Sequence, residues 1–209
     1  MKSVFGYITN RTTDFTEIGI KFIKKWVNDI DEFHLFTTKE AYEIFFSKVI
    51  DFKHTVTFFD NDWFYPNRMS WAFYKFALEL ANIYDDDTIL NINGDGGFFI
   101  KNPFEWVKSH ENNFDDYDII NTIYKGHCFD TAAFFKNNER SRNFLKQFTE
   151  ICENPPNDLL IYDNQFKERK KLWKLHEQPK WFITQDLFWN IYLKNPTVNF
   201  LSKLANVKF

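Results

Sequence analysis

The residues best placed to do chemistry lie in the stretch Thr88 to Ile100, TILNINGDGGFFI. The apolar run Ile89-Leu90-Asn91-Ile92 leads into Asn93-Gly94-Asp95-Gly96-Gly97, and a second apolar run, Phe98-Phe99-Ile100, leaves it. Three of the six glycines of the chain fall within these few positions. Glycine adopts positive φ and lets a ligand come close to the backbone. A strand that ends in an acidic residue among glycines gives up regularity in order to present a charge. The alternative is a plain hairpin turn, because Asn-Gly and Asp-Gly are strong turn dipeptides.

The elements that must position this stretch come before it. Val4-Phe5-Gly6-Tyr7-Ile8 predicts a buried strand ending at Thr9-Asn10-Arg11. Ile20, Ile23 and Val27 have helical spacing within Thr16 to Asp29, with Thr16 as the expected N-cap. Phe33 to Phe36 is a second strand, and a helix opening at Thr38 reaches about Lys48. His54 to Phe59 is a third strand, followed by the loop Asp60-Asn61-Asp62-Trp63. A long amphipathic helix spans about Asn67 to Asn82. This alternation predicts an α/β fold, a mainly parallel mixed sheet with helices on its faces. Ligands of such sheets bind beyond the carboxyl ends of the strands. Asn10-Arg11, Asp60 and Asp95 all stand at such ends.

After residue 100 the pattern loosens. Pro103 to His110 predicts a short helix, Tyr117 to Tyr124 a strand, Cys128 to Phe135 another, and Asn138 to Glu153 a helix. Asn154-Pro155-Pro156-Asn157 breaks the chain within a single domain, 1–209. Lys167 to Lys174 is a solvated basic face. Thr184 to Leu193 is a last amphipathic helix, with Gln185-Asp186 in its first turn.

Composition bounds the answer. The chain has 209 residues, 44% hydrophobic and 21% aromatic with 27 Phe, which is ample material for one core. Its formal charge of −3 gives no bulk electrostatic reason to bind nucleic acid. Cys128 and Cys152 do not make a disulfide framework. The first residues, MKSVFGYITN, carry too short an apolar run for a signal peptide, and no stretch approaches a membrane span. The expectation is a soluble, cytoplasmic protein.

The order of elements resembles the nucleotide-sugar glycosyltransferases of the GT-A fold. Three motifs carry the likeness, between about Val4 and Leu193. Those enzymes end their fourth strand in Asp-x-Asp, and the matching positions here are Asn93-Gly94-Asp95. The preceding helix carries basic residues toward the donor, here Arg68 and Lys75. A late acidic-amide pair opens a helix near the acceptor, here Gln185-Asp186 in reversed order. Phe129 to Phe135 is also similar to the family's acceptor-side strand.

The resemblance implies a sugar passing from a UDP- or GDP-sugar donor to an acceptor hydroxyl on a saccharide, a protein or a modified nucleobase. It implies Mn²⁺ or Mg²⁺ at Asp95, with His176 as a further metal ligand. Such an ion neutralises the diphosphate leaving group, and hard ions favour oxygen ligands. Asn93 departs from the pattern: an amide can bind ribose or make a weak metal contact, but it brings no charge. Asn10, Arg11, Arg68, Lys75, Asn93 and Asp95 are the expected donor-binding residues. Asp186 is the first candidate general base and Asp130 the second. Trp63, Phe64, Tyr65 and Trp71 can stack on sugar or base faces. Plainer roles stand beside these: a solvated helix lysine for Lys75, a helix-dipole partner for Asp186, a surface loop histidine for His176, and structural roles for His127 and Asp130. Two other functions fit the same residues. One is a phage-type enzyme that glycosylates hydroxymethylated DNA bases, and the other is a non-catalytic relative that binds sugar nucleotides. Nucleotidyl transfer lacks a glycine-rich, lysine-bearing loop after the first strand.

Overall fold

A computed structural model describes residues 2–60, 69–94, 102–105, 118–124, 127–153 and 200–204. Its centre is a seven-stranded mixed sheet. In chain order the strands are β1 (Ser3–Ile8), β2 (Glu32–Thr37), β3 (Thr55–Phe58), β4 (Ile89–Asn93), β5 (Ile119–Tyr124), β6 (His127–Lys136) and β7 (Phe200–Leu204). They lie side by side as β3-β2-β1-β4-β6-β5-β7. β1, β2, β3 and β4 run parallel, β6 is antiparallel to both β4 and β5, and β7 is parallel to β5. The expected mixed sheet is present, and β4 is its central strand. β7 was not expected from the sequence.

Side chains alternate between faces along a strand. Phe5, Tyr7, Phe33 and Leu35 fill one face and pack with Ile20, Ile23, Trp26, Phe46 and Ile50. These come from α1 (Asp14–Ile23), from Trp26 just before the short helical turn that follows it (Val27–Asp29), and from the segment of α2 (Lys39–Ala41), a π-helical turn (Tyr42–Phe46) and α3 (Ser47–Val49), with Ile50 just beyond. Phe5 meets Trp26 edge-on at 5.2 Å between ring centroids. Thr13 caps α1, its hydroxyl accepting from the Thr16 amide at 3.4 Å. The expected cap, Thr16, is instead a buried residue of the first turn. Among neighbouring threonines, the one with extended backbone (φ −113°, ψ 160°) takes the role. The helix also stops at Ile23, short of the expected Asp29.

The opposite face carries α4 (Met69–Ile83) and α5 (Glu139–Glu153), which pack on each other. Gly6 lets α4 approach β1: a Cβ there would lie 2.7 Å from Leu80 Cδ1 and 3.1 Å from Phe76 Cε1. Asn137 ties the end of α4 to the sheet. Its Nδ2 donates to the carbonyls of Ala81 (2.9 Å) and Tyr84 (2.7 Å), satisfying acceptors that a helix end leaves open. At the start of β5, the buried Asp118 accepts a paired contact from Arg140, whose guanidinium is held above its ordinary pKa by that carboxylate. No helix among the described residues is long and apolar enough to cross a membrane.

Candidate functional site

The parallel strands β1 to β4 all end on one edge of the sheet. From β1 the chain moves outward to β2 and β3, then returns to place β4 on the other side of β1. The order therefore reverses between β1 and β4. At such a switch point the connections leave in opposite directions and open a crevice beyond the carboxyl ends of the strands.

The residues at this edge are mostly neutral and polar. Thr9, Thr37 and Asn93 are fully buried, and Thr38 nearly so. Two of the threonines are engaged locally. The Thr9 hydroxyl accepts from the Arg11 amide at 3.0 Å, shaping the turn out of β1, and the Thr38 hydroxyl accepts from the Ala41 amide at 3.1 Å, capping α2. Thr37 Oγ1 and both side-chain polar atoms of Asn93 have no hydrogen-bond partner among the described residues. The register puts them on one face. Tyr7 lies opposite Asn93 on one side and Leu35 on the other, and Thr37 follows Leu35 by two residues. Leaving a buried polar atom unmatched costs roughly 1–3 kcal/mol. Three such atoms, among the described residues, stand at the ends of β2 and β4.

Of the expected site residues, Asn10 and Arg11 stand directly after β1, Asn10 half-buried and Arg11 exposed. Asn93 ends β4 and is 0% exposed. Asp60 follows β3 on the same edge and is exposed. The main chain of Asp130 belongs to β6, two residues beyond Ala132, which pairs with Asn93, so it stands on the carboxyl-end side of β4. Lys75 is half-buried in the middle of α4, one turn from Glu79. Burial raises the Glu79 carboxyl, and the Lys75 charge pulls it back. Arg68, Asp95, His176 and Asp186 lie outside the described residues, as do Trp63, Phe64 and Tyr65. Among the described residues no group of three or more acidic, histidine or cysteine side chains could hold a metal.

Residues 102–105 bring the chain back from the glycine stretch. The Asn102 side chain accepts from the Phe104 amide at 3.0 Å, and Phe104 packs edge-on against Phe134 of β6 at 5.6 Å. This returns the chain to the face that carries Tyr7 and Asn93. Sequence reasoning missed Thr37, although the apolar run Phe33 to Phe36 ending in a Thr-Thr pair was the available signal. A hollow of about 140 Å³ beside Val27, Asp31, Glu32 and Lys53 lies at the amino end of β2, away from this edge.

No family model matches the chain, and no curated protein matches it. Among solved structures it is similar to 4-diphosphocytidyl-2C-methyl-D-erythritol synthase from Anaerococcus prevotii, at 10% identity and a TM-score of 0.46. The alignment covers 100% of this chain and 92% of that one.

Proposed function

We propose that the chain is a glycosyltransferase that moves a sugar from a nucleotide-diphosphate donor to an acceptor hydroxyl. The observation that carries the reading is the switch point between β1 and β4, with unmatched polar side chains buried at the strand ends that flank β1. Neutral donors and acceptors there suit the ribose and base of a nucleotide, where hydrogen bonds fix orientation. In this reading Asn10 and Arg11 meet the nucleotide, and Arg68 and Lys75 offset diphosphate charge.

Asp95 holds the divalent ion, Mn²⁺ or Mg²⁺, with His176 as a second protein ligand. The unmatched Asn93 oxygen supports a site of this kind, since hard ions take neutral oxygens beside carboxylates. The ion, when bound, neutralises charge developing on the leaving diphosphate. Asp186 accepts the proton of the attacking hydroxyl, with Asp130 as the alternative base. A second reading, a non-catalytic relative that binds sugar nucleotides, is favoured by one feature: Asn93 brings no charge where a carboxylate would strengthen the metal site.

Titration with UDP- and GDP-sugars, with and without Mn²⁺, tests the proposal by thermal shift. A ligand at about a hundred times its Kd stabilises the fold by roughly 2.7 kcal/mol, an easily read rise in Tm. The rise should need Mn²⁺ and should vanish in Asp95→Asn. If no nucleotide sugar moves the Tm under either condition, the reading fails. Donor stabilisation without turnover on any acceptor would leave the non-catalytic relative.

A further inference from the structure

Tyr42 and His54 have no part in the proposed transfer reaction, yet they form a fixed pair. The Tyr42 hydroxyl lies 3.1 Å from His54 Nε2, and His54 Nδ1 lies 2.9 Å from the backbone carbonyl of Phe52. The two residues come from separate elements. Tyr42 opens the π-helical turn Tyr42–Phe46, a wide turn of a kind frequent at functional sites. His54 stands just before β3, and its ring meets Phe52 edge-on at 6.5 Å. Phe58, at the end of β3, meets the Tyr42 ring edge-on at 5.5 Å. Tyr42 and His54 are half-buried and Phe58 is 46% exposed, so the pair stands at the surface in an aromatic setting.

The carbonyl sets the direction of both bonds. A carbonyl oxygen only accepts, so Nδ1 carries a proton and donates to Phe52. Neutral His54 therefore has its lone pair at Nε2, and the Tyr42 hydroxyl donates to it. A second contact of a histidine with a tyrosine hydroxyl has no such anchor. His34 Nδ1 stands 3.0 Å from the Tyr84 hydroxyl and Nε2 stands 2.8 Å from Thr57 Oγ1, and each of these hydroxyls can donate or accept. His34 is 1% exposed, and burial lifts the Tyr84 phenol to about 12.

A hydroxyl that donates to a base, itself oriented by a third group, is the arrangement of an activated nucleophile. We propose that Tyr42 is an acylation site, its phenol oxygen taking the acyl group of a neutral activated ester with His54 as general base. The oxygen attacks the ester carbonyl carbon as its proton passes to His54 Nε2. The new carbon–oxygen bond replaces the bond from that carbon to the leaving oxygen, and Nε2 gives the proton up to the leaving group or to water. Nothing is oxidised or reduced, and the imidazole ends as it began. The surroundings select the donor. Phe52 and Phe58 flank the pair, and among the described residues no lysine or arginine hydrogen-bonds to it. A neutral ester with an apolar or aromatic part suits this place better than a phosphoryl donor, whose charge calls for cations.

Treating the full chain with p-nitrophenyl acetate, a neutral aryl ester, and locating the acetyl group by peptide mass spectrometry tests the site. Tyr42 should be acetylated roughly a hundredfold faster in the parent than in His54→Gln, the low end of the range for general-base help. Glutamine keeps an acceptor for the phenol but takes up no proton. Tyr84 is the internal reference and should label slowly and equally in both chains. Added imidazole should restore labelling of Tyr42 in His54→Ala. Tyr42→Phe should lose the acetyl group without moving it to His54. The proposal is overturned if parent and His54→Gln label Tyr42 alike, if Tyr42 labels no faster than Tyr84 in the parent, if imidazole restores nothing in His54→Ala, or if the acetyl group is found on His54.

Discussion

Asn93 is fully buried, and among the described residues its side-chain amide has no hydrogen-bond partner. The substitution Asn93→Asp should therefore make the chain less stable than the parent without metal, by roughly 3 kcal/mol or more, because a buried carboxylate without a partner is strongly unfavourable. Mn²⁺ should restore the loss and bind at least as tightly as in the parent. Calorimetric melting with and without Mn²⁺ checks this, and indifference of the Asn93→Asp variant to the ion would remove position 93 from the metal site. Asp186 makes a different claim, on turnover. A general base acts as the acceptor attacks, so Asp186→Asn should cost on the order of a hundredfold in transfer rate and leave donor Kd alone. A loss of roughly 0.3–1 kcal/mol in stability with parental transfer rate would make Asp186 a helix-dipole partner instead. The sequence singled out position 93 as the first residue of Asn93-Gly94-Asp95, matched to Asp-x-Asp, but not its burial or its missing partners among the described residues. Those depend on Tyr7 and Ala132, which flank it from β1 and β6. Thr37 went unseen for the same reason, since only the strand order puts it on the face of Asn93.

At the scale of elements, the contact of α4 with β1 turns on the absent side chain of Gly6. Gly6→Ala should destabilise the fold by about 1–3 kcal/mol, the usual cost of overpacking, because Leu80, Phe76 and Ile92 all crowd the new methyl. Urea unfolding measures it, and Gly6→Ala combined with Leu80→Ala should cost less than the sum of the two. The joint of β2, β3 and α4 around His34 makes stability depend on pH. In the folded chain His34 takes a proton only near pH 4, and unfolded it does so near 6.5. Between these values the unfolded chain binds more protons, so stability rises with pH there, is full above about 6.5, and is lost as pH falls toward 4. The group contributes roughly 3 kcal/mol across that window. His34→Gln should flatten this part of the curve in unfolding experiments at several pH values. The first four strands were legible because each is a short apolar run followed by turn residues and a helix. β7 was not: Phe200-Leu201-Ser202-Lys203-Leu204 is short, carries a lysine, and forms a strand through pairing with the distant β5. The π-helical turn at Tyr42–Phe46 leaves no mark in a pattern that reads as ordinary helix.

For the whole molecule, long-range pairing sets the architecture. β6 separates β4 from β5, and the strand at one margin of the sheet comes from residues 200–204. During synthesis the segments that form β1 to β6 emerge long before Phe200, and domains generally begin to fold from the N-terminal side. Until residues 200–204 are made, β5 lacks its pairing with β7. Its sequence, Ile-Ile-Asn-Thr-Ile-Tyr, has no charge, no proline and strong β-propensity, the composition of a self-associating segment. A chain ended at residue 199 should keep the arrangement of β1 to β4 but aggregate at concentrations where the full chain stays monodisperse in light scattering. Equal solubility would mean that β7 does not protect β5. A lysine placed within β5 of the shortened chain should recover solubility, as charges do on natural sheet margins. On that expectation, the interval in which β5 stands uncovered is the time synthesis takes to run from Tyr124 to Leu204.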